Sequence, residues 1–264
     1  MFAVERIKII KKMLIKDGKV SVNELSKMLD VSEVTIRRDL EKLESENFLI
    51  RTHGGAVLKK DQLDDNLTMP SSYASNSKRD YHKEIAEIAI HTIQDNDIIM
   101  LTNGPINYKI ASLLNNKKNI TILTNDLNIA LEASKSADNK VVILGGDVSP
   151  NDSASYGALT ALNIQKFFVK KIFIEVDAIN EDLNIFVSSM EKADLIHNII
   201  PNSKERIFLC RGDNFNKMAF YSVSDITIAD KLITNSNISE DVKRLIFNKN
   251  IPLYTSINAV EEKL

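Results

Sequence analysis

Residues 20–57 read VSVNELSKMLDVSEVTIRRDLEKLESENFLIRTHGGAV, and their spacing sets the N-terminal fold. Ser21 with Glu24 three residues on forms a capping box, which predicts a helix over Val22–Leu29. Asp30 and Val31 make a tight turn. Ser32 is a second N-cap and opens a helix from Glu33 to about Glu46. On that helix Ile36, Leu40 and Leu43 recur at i, i+4, i+7 and face a core. Val34, Arg38 and Glu41 fall on the opposite side, with Thr35 and Arg37 on its flanks. Two arginines and a threonine in the first turns of a helix with an aliphatic back suit insertion into a DNA major groove by the N-terminal end. Ser32, Val34, Thr35, Arg37 and Arg38 are the candidate contacts.

Working outward, a first helix over Val4–Lys16 carries Ile7, Ile10 and Leu14 on one side and stops at Asp17 and Gly18, the latter suited to a left-handed cap. Downstream the period switches to two. Phe48–Thr52 reads as a strand, Gly54 and Gly55 as a turn, and Ala56–Leu58 as the return. The hairpin makes a wing. Arg51 and His53, beside glycines that let a phosphate approach the backbone, join Gly54 and Gly55 as candidate DNA contacts.

Composition agrees. A chain of 264 residues is too long for one such unit and suits a second domain with its own core. The net charge of −2 is unevenly spread: residues 1–60 hold 13 Lys and Arg against 9 Asp and Glu, and the remainder 21 against 27. A basic head on an acidic body is the expected balance for a protein that grips DNA by one end. No run is long and apolar enough for a membrane span, and Met1–Lys12 lacks the apolar centre of a signal peptide, so a cytoplasmic location is expected. The single cysteine, Cys210, forbids an intrachain disulfide, and the four histidines show no ligand spacing, so no metal or cofactor is expected.

Residues 59–77 carry no helical or strand period and read as a linker, dividing the chain into a head over 1–58 and a body over 78–264. The body alternates helix and strand. Strands are predicted at Ile98–Leu101, Ile120–Leu123, Val141–Leu144, Ile172–Val176, Ile207–Cys210 and Ile226–Ala229. Helices are predicted near 79–93 and at Asn107–Leu114, Leu127–Ser134, Thr160–Phe168, Met190–Ile200 and Glu240–Asn248. Apolar strands separated by amphipathic helices predict an α/β body, a doubly wound, mainly parallel sheet covered on both faces. In such a sheet ligands sit beyond the carboxyl ends of the strands. The loops there hold Thr102, Asn103 and Gly104, then Thr124 and Asn125, then Gly145 and Gly146. Turns need glycine and asparagine for their own reasons, so each loop alone is a weak signal.

Together, the VS…TIRRDL…RTHGGA arrangement resembles the N-terminal winged helix-turn-helix of the DeoR family of bacterial transcriptional regulators. The body resembles that family's sensor domain, similar in fold to ribose-5-phosphate isomerase: ILTND matches its Thr-Asn loop and ILGGDV its Gly-Gly loop. The resemblance implies a homo-oligomeric repressor of a carbohydrate operon. Its partners would be a double-stranded operator and a small effector, in many members a phosphorylated sugar. The chain departs from the pattern at several points. Thr102 stands where the family has aspartate, and Pro105 and Ile106 where it has two threonines. Arg211, Asp213 and Asn214 replace an acid, a serine and a lysine, which leaves Arg211 as the candidate effector-facing cation. The run FIEVDAI at 173–179 lacks the glycines usual there. Two other readings remain open: an isomerase-like enzyme using Asp126, Asp147 or Asp177 as base, and a repressor that senses nothing.

Overall fold

The computed structural model describes residues 3–45, 48–52, 54–58 and 80–258. His53 and the linker 59–77 lie outside them. The chain divides into two compact units, residues 1–74 and 75–264.

In the first unit α1 (Ala3–Asp17), α2 (Val22–Leu29) and α3 (Glu33–Ser45) surround a core of Ile10, Leu14, Leu25, Ile36, Leu40, Leu43 and Leu49. Helix α2 starts and stops where its caps dictate. The Ser21 hydroxyl accepts the Glu24 amide at 3.5 Å, and Asp30 ends the helix in the left-handed region at φ 50°. Gly18 stops α1 at φ 69°.

The wing has three strands rather than the expected two: β1 (Lys19–Ser21), β2 (Leu49–Thr52) and β3 (Gly55–Leu58), in the order β1-β3-β2. Gly55 therefore belongs to a strand and is buried, where the sequence placed it in the turn. A Cβ there would lie 2.0 Å from the Val20 carbonyl oxygen, so its glycine is explained by close strand packing.

The polar side of the head also holds a buried ion pair. Asp39, inside the TIRRDL run, accepts from Arg6 Nε at 2.8 Å and Arg6 Nη2 at 3.3 Å, tying α3 to α1. Removing one partner strands the other in the core. Asp39→Ala is expected to lower the melting temperature of the head by about 10 °C or more, whereas Glu33→Ala, at an exposed pair, shifts it by at most about 2 °C. Calorimetry of the full chain resolves the two.

The second unit is built on a seven-stranded sheet in the order β15-β14-β12-β9-β4-β5-β6. Its strands are β4 (Ile98–Leu101), β5 (Thr121–Thr124), β6 (Lys140–Ile143), β9 (Val169–Glu175), β12 (Ser203–Leu209), β14 (Lys231–Ile233) and β15 (Leu253–Tyr254). Every neighbouring pair is parallel. The helices are α4 (Tyr81–Ile90), α5 (Pro105–Leu113), α6 (Leu127–Ala133), α7 (Ala158–Ile164), α8 (Met190–Ile199) and α9 (Glu240–Asn248). The sheet grows one way through β5 and β6 and the other way from β9. The strand order thus reverses between β4 and β9, the switch point where such sheets open a crevice.

Two antiparallel pieces were not legible in the sequence. They are the hairpin β7 (Asp147–Ser149) with β8 (Ala154–Tyr156), and a small sheet of β10 (Ala178–Ile179), β11 (Asn184–Val187) and β13 (Tyr221–Asp225). One expected strand is corrected: residues 226–228 form a single 3-10 turn, and the sheet strand follows at β14. Asp225 decides this by accepting the Thr227 amide at 2.8 Å, a local bond that competes with strand pairing. Helix α5 begins two residues before its expected start, because Pro105 at the first helical position carries a suitable φ and no amide to satisfy. Among the described residues no helix is long and apolar enough to cross a membrane.

Candidate functional site

On the head, α3 presents the expected face. Val34 is 62% exposed, and Arg37 and Arg38 also face solvent. Ser32 and Thr35 first serve the helix start: the Ser32 hydroxyl lies 2.9 Å from that of Thr35 and accepts the Thr35 amide at 3.2 Å. The arginines differ in what holds them. Arg37 reaches Glu33 one turn back at 3.4 Å, an exposed pair of little strength. Arg51 on β2 donates to Glu41 at 2.9 Å, and its amide donates to Glu44 at 3.1 Å, so the wing is fastened to α3 through it. Among the described residues Arg38 has no ion-pair partner, and its charge faces outward.

In the second unit Thr102, Asn103, Gly104, Thr124, Asn125, Gly145 and Gly146 gather at the carboxyl ends of β4, β5 and β6. Most of their polar atoms are spent within the protein. The Thr102 hydroxyl donates to the Phe173 carbonyl at 3.2 Å and accepts from the Glu175 amide at 3.1 Å. Asn125 accepts the Asn103 amide at 3.2 Å and donates to the Ser155 carbonyl at 3.2 Å. The Thr124 hydroxyl accepts the Asp126 amide, and Thr160 donates to the Gly145 carbonyl at 2.8 Å. These residues shape the edge of the crevice. Arg211 stands apart from them, at the end of β12 beyond β9. Asp213 binds its guanidinium, and His82 of α4 lies 3.5 Å from it. Burial and the nearby Arg211 charge lower the His82 pKa.

Four residues that the sequence did not single out complete the edge. Asn107, fully buried on α5, donates to the Thr102 carbonyl at 2.9 Å, the Thr102 hydroxyl at 3.2 Å and the Phe173 carbonyl at 3.0 Å, closing the gap between β4 and β9. Tyr156 donates to Asn103 at 2.9 Å and lies 3.2 Å from Asp152. Burial and then the Asp152 charge raise its pKa. Lys192 lies 3.9 Å from Asp177. The fourth is Glu175, the last residue of β9, half-buried at the switch point. Its Oε2 accepts the Ile106 amide at 2.9 Å and the Asn107 amide at 3.3 Å, the first free donors of α5. Gly104 makes room for it: at φ 147°, its Cβ would sit 2.3 Å from the same oxygen. The missing glycines in FIEVDAI were the signal for this residue.

Burial pushes the Glu175 carboxyl up to about 8, against the two amides and Lys192, which favour its charge, while Asp177 adds to the rise. Arg211 and Cys210 also lie within its field. A carboxyl raised above its ordinary range contributes stability that is present below about pH 4.5 and is lost as the pH rises through about 8. The melting temperature of the second unit is therefore expected to fall from pH 5 to pH 8.5, and Glu175→Gln flattens that fall. Equal slopes in the two proteins would rule the effect out.

Beside Tyr156 a cavity of about 570 Å³ is lined by Asp147, Ser149, Asp152, Ser188, Ser189 and Glu191 among others. Its size suits a small metabolite, and its polar lining is of hydroxyls, carboxyls and the Asn151 amide. No cluster with metal-ligand geometry occurs among the described residues.

A three-helix head with a wing and an outward-facing arginine on its third helix, on one chain with a doubly wound body whose crevice is edged by polar groups, defines a DNA-binding regulator with a sensor domain. The chain belongs to the DeoR family of transcriptional regulators. The DeoR-like helix-turn-helix domain matches residues 6–62, and the DeoR C terminal sensor domain matches residues 77–236. The chain is 28% identical to the lactose phosphotransferase system repressor of Lactococcus lactis subsp. lactis, over 89% of this chain and 91% of that one. It is 24% identical to the glycerol-3-phosphate regulon repressor of Escherichia coli (strain K12), over 90% and 93%. Among solved structures it is similar to ribose 5 phosphate isomerase A from Neisseria gonorrhoeae, at 12% identity and a TM-score of 0.39 over 54% of this chain and 56% of that one.

Proposed function

We propose that this regulator is a repressor of a carbohydrate operon, acting in the cytoplasm as a homo-oligomer on repeated half-sites, with a small metabolite of the carbohydrate class bound at the switch point. The head would comprise residues 1–58, the linker 59–77 and the sensing body 78–264. In this reading Val34, Thr35, Arg37 and Arg38 read the major groove, with Ser32 fixing the helix start. Arg51, His53 and Gly54 place the wing at the backbone, while Gly55 serves the strand packing instead. The observation that carries the reading is the outward face of α3, on which an exposed aliphatic, Val34, adjoins arginines held weakly or not at all. An aliphatic for a thymine methyl and arginines for guanine or phosphate are the usual groove chemistry. The names of the relatives support the sign of regulation and the carbohydrate class.

An enzymatic role is disfavoured by how two of the three candidate carboxylates are used, the third being Asp147 in the cavity lining. Asp126 caps α6 by accepting the Asn128 and Ile129 amides at 2.8 and 2.9 Å, and Asp177 accepts the Ser188 amide at 2.6 Å. A base needs free oxygens beside the substrate carbon. Measurable isomerase turnover, lost on Asp126→Asn or Asp147→Asn, would reverse this.

The deciding experiment is a selection of genomic fragments on the purified chain at fixed salt, with and without sugars and sugar phosphates. One enriched motif of repeated half-sites, released by one compound, is the expected result. A motif that no compound disturbs would leave an effector-blind repressor, and enrichment without a motif would reject the reading.

A further inference from the structure

A helix N-terminus at the switch point of a doubly wound sheet is the place where an anion finds free amides and a favourable dipole. Here that place is taken. The Glu175 side chain reaches from the end of β9 to the N-terminus of the nine-residue helix α5 and occupies the amides of Ile106 and Asn107. Pro105 at the first position offers no amide, so these two are the first donors the helix has. Gly104 fits around the carboxyl closely enough that no other side chain could stand there without moving it. A proline and a glycine at the start of α5 and an acid from the end of β9 thus converge on a seat filled from within.

We propose that Glu175 is the specificity-determining residue of the sensor: its carboxyl holds the anion seat at the start of α5, and a phosphate-bearing ligand binds there only by displacing it. The inference rests on the switch point being the effector site. It gives the sensor a graded preference. A ligand that offers hydroxyl or amino groups can bind beside Glu175 without displacing it. A phosphate ester must first break two hydrogen bonds and expel a side chain that fits its pocket.

The test is calorimetric titration of the full chain, without DNA, by inorganic phosphate and by a panel of pentose and hexose phosphates. The chains compared are the native protein, Glu175→Ala and Glu175→Gln. The alanine variant is expected to bind at least one of these anions about tenfold or more tightly than the native chain, since freed amides meet a charged acceptor. Glu175→Gln keeps an oxygen of the same reach and stays within about threefold of the native chain. Melting curves report whether each variant is folded, and Glu175→Ser replaces the alanine variant should that one fail. An alanine or serine variant that is folded and binds anions no better than the native chain overturns the proposal, whether both bind well or neither binds. Because no DNA is present, the result stands apart from the selection experiment, which can fail while the seat behaves as stated.

Discussion

Arg38→Ala is expected to weaken operator binding by about 5- to 150-fold, the equivalent of losing one base contact of about 1–3 kcal/mol, while leaving the melting temperature unchanged. The expectation follows from what each arginine of the head touches. Arg6 is consumed by Asp39, Arg51 by Glu41, and Arg37 by a weak pair with Glu33. Arg38 lies exposed without an ion-pair partner among the described residues, so removing it leaves no buried group stranded. Fluorescence anisotropy across a salt series separates two cases. A contact to a base edge would be lost at one operator position. A contact to phosphate would weaken all sequences alike and reduce the salt slope by about one. Unchanged affinity with an unchanged slope would remove Arg38 from the interface.

Asn107→Leu is expected to destabilise the second unit by about 1–3 kcal/mol. The side chain keeps the same branched shape, with two methyls in place of the amide. The substitution takes a donor from the Thr102 carbonyl, the Thr102 hydroxyl and the Phe173 carbonyl in a fully buried place. The Phe173 carbonyl keeps the Thr102 amide and hydroxyl, and that hydroxyl keeps the Glu175 amide, so the stranded group is the Thr102 carbonyl, and a buried acceptor left without a partner costs about 1–3 kcal/mol. Urea unfolding of the full chain measures the loss. A drop under about 1 kcal/mol would show that water enters the gap between β4 and β9 and replaces the amide.

Much of the head was legible because its signals are local. Ser21 and Ser32 cap their helices through amides three residues on, and Asp30 and Gly18 end theirs by backbone conformation. Ile36, Leu40 and Leu43 face inward as their spacing requires. The third wing strand was not legible, because β1 is three residues long and exists only through pairing with β3. Asp39 stands beside Arg38 in the sequence but pairs with Arg6, 33 residues away in the chain.

In the body, apolar runs marked most sheet strands, and glycine, asparagine and threonine marked the loops. The purpose of those loop side chains stayed hidden, since a hydroxyl or amide at a strand end can serve a ligand or the turn with equal chemistry. The sequence by itself determined a winged head on a parallel α/β body, because caps, hydrophobic period and turn residues act within a few positions of one another. Only the tertiary structure decided which polar groups are spent inside and which are free. It brought Glu175 of β9 to the amides of α5, 69 residues earlier in the chain, and that is a matter of strand order, which no local pattern encodes.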